Sequence, residues 1–232
     1  MSGVPKTARE VAALIDHTIL KAEALRADVE RICNEALKYE FASVCVNPVF
    51  VPMVAKKLRG SPVKVCTVIG FPLGANLSVS KMNEARATLA EGAQELDMVI
   101  HIGGLKAGED HAVAAEIRGV TDVSHEGGAI CKVIVETCLL TEEEKERACR
   151  IAHEAGADFV KTSTGFSTGG AIVADIALMR RVVGPSMGVK ASGGVRSLDD
   201  LIKMVEAGAT RIGTSGGVKL VEEARVKFGS SS

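Results

Sequence analysis

Phe159-Val160-Lys161-Thr162-Ser163-Thr164-Gly165-Phe166 decides the reading of the whole chain. It opens as a buried strand, aromatic and β-branched, places one lysine where the apolar run stops, and passes at once into a turn of small hydroxyl residues and glycine. A strand that needed only solubility would carry its charge at an alternating outward position. Here the ammonium stands at the strand end, beside a turn whose backbone N–H groups can bind an anion. Met187-Gly188-Val189-Lys190-Ala191-Ser192-Gly193-Gly194-Val195-Arg196 repeats that order. The two lysines are 29 positions apart, about one strand–helix unit, so in a parallel βα array both leave the same end of adjacent strands.

Working outward, the same unit recurs. A first strand, Leu14-Ile15-Asp16, ends in Asp16-His17-Thr18, and residues 42–46, 63–69, 95–101, 130–136 and 210–215 read as further strands, giving eight with the two lysine strands. The segment 42–46 stops at Asn47-Pro48, because proline cannot continue a central ladder. Between the strands lie helical patterns: Val29, Ile32, Cys33, Ala36 and Leu37 fall on one face, and helices are expected over 78–91, 110–124 and from Thr141 to Gly156. An opening helix starts at Thr7-Ala8-Arg9-Glu10, a capping box in which threonine oxygen and glutamate satisfy each other's N–H groups. Glu91-Gly92-Ala93, Glu154-Ala155-Gly156 and Glu206-Ala207-Gly208 each end a helix with a glycine just before a strand. Eight such units with near-continuous apolar strands predict a (β/α)8 TIM barrel with a short N-terminal helix, one domain over residues 1–232. A doubly wound open sheet fits less well, since Asp16-His17-Thr18-Ile19-Leu20 stands where its glycine fingerprint would follow strand one.

The 232 residues carry 28 Lys and Arg against 29 Asp and Glu, interspersed, which disfavours nucleic acid or an anionic membrane surface as a partner. No apolar leader core and no 18-residue apolar run is visible, so a soluble, cytoplasmic protein is expected. The six cysteines contain no Cys-x-x-Cys pair and read as reduced core residues. Cys45, near a strand end, is the one expected to line a pocket.

A barrel gathers its chemistry at the C-terminal strand ends. Asp16, Asn47, Asp97 or His101, Lys132 with Glu136, Lys161, Lys190 and Ser215 are expected there. Asp97 stands inside an apolar run, which costs several kcal/mol unless the charge is paired. A free lysine, with a pKa near 10.4, is almost wholly protonated at neutral pH; burial or a neighbouring ammonium favours the amine that can attack a carbonyl. The lysines could instead be structural ion-pair partners of Asp16, Asp97 and Glu136, which accounts for one inward lysine better than for three. The turns Thr164-Gly165, Gly193-Gly194 and Gly213-Thr214-Ser215-Gly216-Gly217 follow the last three strands and suit a phosphate.

Val160-Lys161-Thr162-Ser163-Thr164-Gly165, the Lys190 stretch through Arg196, Glu95-Leu96-Asp97-Met98-Val99, Lys132-Val133-Ile134-Val135-Glu136-Thr137 and Ile212-Gly213-Thr214-Ser215 together resemble the deoxyribose-phosphate aldolases, class I aldolases on a (β/α)8 barrel. The resemblance covers nearly the whole chain. It implies reversible cleavage of 2-deoxy-D-ribose 5-phosphate to D-glyceraldehyde 3-phosphate and acetaldehyde, in deoxyribose catabolism, with no cofactor and no metal. By it, Lys161 forms the Schiff base, Lys190 keeps that amine free and relays protons, and Asp97 is the acid/base partner. Asp16, Lys132 and Cys45 support them. Thr164, Gly165, Gly193, Gly194, Gly213, Thr214, Ser215 and Gly216 hold the phosphate. This chain has Gly216 where some members carry a second serine, and ends Phe228-Gly229-Ser230-Ser231-Ser232 where certain relatives end in a tyrosine that reaches the phosphate. Two other readings stand beside it: a metal-dependent aldolase using His17 and His101, and a non-catalytic phosphosugar-binding barrel. The outer helix faces are apolar enough for a homodimer or homotetramer.

Overall fold

The computed structural model of the chain describes residues 3–229. Eight parallel strands close in chain order: β1 Ile15–Ile19, β2 Ser43–Val46, β3 Lys64–Ile69, β4 Glu95–Val99, β5 Ile130–Ile134, β6 Phe159–Lys161, β7 Gly188–Ser192 and β8 Arg211–Thr214. The last pairs with the first, Asp16 opposite Gly213. Helices alternate with them: α1 Ala8–Ala12, α2 Arg26–Tyr39, α3 Val51–Leu58, α4 Ser78–Ala90, α5 Ile102–Lys106, α6 Asp110–Glu126, α7 Glu142–Glu154, α8 Val173–Val183, α9 Leu198–Glu206 and α10 Gly217–Phe228. The (β/α)8 barrel and its N-terminal helix are as expected from the sequence.

Local chemistry sets the helix starts. Thr7 and Glu10 form the expected capping box at α1, Thr141 and Glu144 form one at α7, and Ser197 with Asp200 does the same at α9. Each satisfies N–H groups that the first helical turn leaves without partners. The main apolar core lies between strands and helices, where Val29, Ile32, Cys33 and Ala36 of α2 are buried with outward strand residues such as Val44 and Val65. A smaller apolar group, Leu20, Cys45, Cys66 and Val68 with Phe71 against it, is separate.

The strand ends differ from the expected ones. β1 runs on to Ile19, so Asp16 is its second residue and lies deep in the barrel instead of at the mouth. β4 ends at Val99, and His101 caps the short helix α5, which the sequence reading did not foresee. β5 ends at Ile134 because Glu136 turns into the left-handed region, φ 57°, and leaves the strand direction.

Candidate active site

Each of the eight strands sends at least one polar side chain to a single cluster, which in a closed barrel can only be its interior. Asp97 is the hub. Its Oδ1 accepts from Lys132 Nζ at 2.7 Å, and its Oδ2 from Lys161 Nζ at 2.8 Å and Lys190 Nζ at 2.7 Å. Lys132 also meets Glu95 Oε2 at 2.7 Å and Cys66 Sγ at 3.3 Å. Lys190 is paired with Asp16, whose Oδ1 accepts from Ser43 Oγ and Arg211 Nη1, each at 2.6 Å. Arg211 reaches on to Glu95 at 3.1 Å.

The order of these contacts follows from register. Lys161 lies opposite Lys190, and Lys190 opposite Arg211, so consecutive strands bring consecutive cations to one level. Asp97 is opposite Lys132. Gly213 gives Lys190 its room: a Cβ there would stand 3.1 Å from Lys190 Cε and 2.4 Å from Ser192 Oγ.

Charge in this buried interior is mutually fixed. Burial raises the Asp97 carboxyl, but the ammonium groups of Lys132, Lys161 and Lys190 outweigh it and hold the acid well below the usual carboxylate range. Asp16 is depressed in the same way against burial, by Lys190, Arg211 and Lys132. Burial disfavours the Lys190 ammonium, yet Asp16 and Asp97 raise it above the ordinary lysine value, and Lys132 is raised likewise by Asp97 and its other partners. Lys132 and Lys190 are therefore held as ammonium ions in the resting site at neutral pH.

Above the cluster opens a cavity of about 470 Å³, walled by the segments after β1, β6, β7 and β8. Lys161 is the one charged member of the cluster that lines it. Lys190, Asp97, Asp16 and Lys132 are fully buried beneath. Thr164, Gly165, Gly193, Gly194, Gly213, Thr214 and Ser215 line the cavity as expected. Gly193 and Gly194 take φ of 75° and 84°, conformations only glycine adopts readily. The N–H groups of Gly165, Gly193, Gly194 and Ser215 meet no backbone acceptor among the described residues, leaving donors for an anion.

Four expectations are corrected. Gly216 is absent from the lining, and its N–H donates to Thr214 Oγ1 at 3.0 Å. Thr164 lines the cavity, but its N–H and hydroxyl both donate to Glu136, so it braces the turn instead of offering donors. Glu136 is thereby a loop clamp and no partner of the lysines. Cys45, third residue of β2, is buried in the small apolar group and does not reach the cavity. Asn47, directly after the C-terminal end of β2, is not among them: its Nδ2 donates at 3.1 Å to O of Leu20, a cavity-lining residue.

The sequence reading missed Arg211, Glu95 and Cys66 in the interior, and Lys21 and Arg196 on the cavity wall. The departure at the C-terminal tail lies in Ser230–Ser232, outside the described residues.

The two histidines do not converge. His17 is buried with Nε2 on Glu35 at 2.6 Å, on the helix side of β1, and His101 is exposed. Among the described residues, the side chains close enough to share an ion are Cys45, Cys66 and Asp97, or Asp16, Cys66 and Glu95. Their carboxylates are already engaged by lysines and Arg211, and burial, Cys45 and the Asp97 charge push the Cys66 thiol well up. That is a poor donor set for a divalent cation, which needs unclaimed carboxylate or thiolate lone pairs.

Residues 10–221 match the family described as DeoC/LacD family aldolase. The deoxyribose-phosphate aldolase of Bacillus subtilis is 60% identical over 212 residues, 91% of this chain and 95% of that protein. That of a Geobacillus species is 59% identical over 212 residues, again 91% and 95%. Among solved structures, the tetrameric deoxyribose phosphate aldolase of Aeropyrum pernix superposes with a TM-score of 0.88 at 37% identity, covering 95% of this chain and 92% of its own.

Proposed function

The chain belongs to the DeoC/LacD family of aldolases, and from that premise we propose that it cleaves 2-deoxy-D-ribose 5-phosphate reversibly to D-glyceraldehyde 3-phosphate and acetaldehyde through a Schiff base on Lys161. One observation carries the site assignment: Lys161 alone among the buried cations lines the cavity, while Lys190 and Asp97 are buried below it, and Asp97 Oδ2 accepts from both lysines. Four cations, Lys132, Lys161, Lys190 and Arg211, face three carboxylates, Asp16, Glu95 and Asp97. The cluster is neutral when Lys161 is the free amine.

That amine attacks the aldehyde carbon of the sugar, and loss of water leaves an iminium. Removal of the C3 hydroxyl proton breaks the C2–C3 bond, whose electron pair passes into the enamine as glyceraldehyde 3-phosphate departs. Protonation of the enamine carbon and hydrolysis then release acetaldehyde and restore the amine. Lys190 and Asp97, with a water, move these protons, a contribution of roughly 10²–10⁴-fold. The phosphate rests on the N–H groups of Gly165, Gly193, Gly194 and Ser215, with Arg196 beside them.

In this reading the protein serves deoxynucleoside and deoxyribose breakdown in the cytoplasm and assembles as a homodimer or homotetramer, as the tetrameric Aeropyrum pernix relative supports. No helix among the described residues is long and apolar enough to cross a membrane. Turnover of 2-deoxyribose 5-phosphate, followed by coupled reduction of the triose product in the presence of a chelator, tests the proposal. The expected result is full activity with chelator; a protein inert toward the sugar, or silenced by the chelator, contradicts it.

A further inference from the structure

Among the described residues the cavity wall includes three cationic residues, Lys161, Arg196 and Lys21, and no acidic one. Lys161 is committed to the covalent step, and Arg196 stands at the β7 turn. Lys21 comes from the segment after β1, two strands along the barrel from β7. His17 of β1 lies opposite Thr214 of β8, so the chain leaving β1 runs alongside the Ser215-Gly216 turn and the start of α10. Its backbone is fixed at that point: Leu20 O accepts from Asn47 Nδ2 at 3.1 Å and Lys21 O accepts from Ala24 N at 3.2 Å. The Lys21 ammonium has no acidic partner within ion-pair distance among the described residues, unlike Lys219 nearby in sequence to the same turn, which pairs with Glu223 at 3.6 Å.

An unpaired cation held on the wall of a cavity that lacks any acid, next to unclaimed N–H donors, is complementary to an anion. We propose that Lys21 is a specificity-determining residue that pairs with the 5-phosphate from the β1 side and sets the preference of the site for phosphorylated over free 2-deoxy sugars. This rests on the aldolase reading. The hydroxyl that Gly216 lacks is thus offset by a charge from the neighbouring β1 segment. Being solvent-exposed, this contact is screened by salt.

The test is the selectivity ratio, kcat/KM for 2-deoxyribose 5-phosphate divided by that for 2-deoxyribose, in the full chain and in Lys21→Ala, Lys21→Glu and Lys21→Arg. The ratio is expected to fall about tenfold in Lys21→Ala, equivalent to about 1.4 kcal/mol, with the loss in KM for the ester. It falls further in Lys21→Glu and is largely recovered in Lys21→Arg. The salt dependence of KM for the ester is also weaker in Lys21→Ala. An unchanged ratio in Lys21→Ala and Lys21→Glu overturns this inference while leaving the aldolase reading intact. A wild-type chain inert toward both sugars overturns that reading and this inference with it.

Discussion

Replacing Asp97 by asparagine keeps the shape of the side chain and removes the charge on which three lysines depend. Lys132, Lys161 and Lys190 each lose an ionic partner at 2.7–2.8 Å, in an interior where Asp97 and Lys190 are wholly buried. Breaking a buried pair by removing one partner costs about 3–5 kcal/mol, against a total stability of roughly 5–15 kcal/mol for a domain, so Asp97→Asn is expected to fold at 25 °C. At about 2–4 °C per kcal/mol for a chain of this size, Tm should fall by roughly 6–20 °C. Activity should fall roughly 10²–10⁴-fold, the scale of lost acid/base help. A double-mutant cycle separates the two roles. Lys132 donates to Oδ1 of Asp97, so Lys132→Met in the Asp97→Asn background removes an ammonium that has already lost one of its carboxylate partners, and the double variant should lose less Tm than the two single losses added. Turnover should not recover. Thermal scans by circular dichroism and the coupled triose assay read both quantities. A Tm for Asp97→Asn within about 2 °C of wild type, less than about 1 kcal/mol, would refute the shared-carboxylate account.

Glu136 acts through the turn it clamps, where Thr164 donates to it from both N–H and hydroxyl; Glu136→Gln should therefore raise KM for the sugar phosphate about three- to tenfold, from roughly 1 kcal/mol of weakened hydrogen bonding, with little change in kcat. An equal loss in kcat would place Glu136 in the chemistry instead. The cluster also dictates the acid limb of stability. Asp97 and Asp16 bind protons less readily folded than unfolded, so their contribution is present above the unfolded carboxyl value near 3.9 and is lost as pH falls below it. Lys132 and Lys190 are raised, so theirs is complete below about pH 10. Denaturant titrations should show this cluster contributing evenly from pH 5 to 9 and a steep fall below about pH 4 that flattens in Asp97→Asn.

The residues most readily legible in the sequence were those whose placement breaks a local rule. Lys161 and Lys190 each end an apolar strand just before small residues and glycine, and Asp97 interrupts an apolar run; all three met in space as their spacing implied. Capping boxes at Thr7 and Thr141 were legible because the signal spans four residues. Arg211 and Glu95 were not, since each is the first residue of its strand and looks like an ordinary boundary charge. Parity puts Glu95 with Asp97 and Arg211 with Gly213, but it cannot say which of two buried faces is the barrel interior. Glu136 shows where parity stops: the alternation that pairs it with Lys132 holds only while the strand lasts, and a left-handed residue ends it. Asp16 was misplaced because β1 outruns its apolar residues, continuing through His17 and Thr18, which bury their polar groups against Glu35 and the Asp16 carbonyl.

Central to the account is a nucleophilic Lys161 at the foot of the cavity. Incubating the protein with acetaldehyde and borohydride, then mapping peptides by mass spectrometry, measures this directly. A single reduced two-carbon adduct on the peptide containing Lys161, absent in Lys161→Leu, is the predicted result. An adduct that maps to Lys190 or Lys132, or that survives in Lys161→Leu, would contradict it.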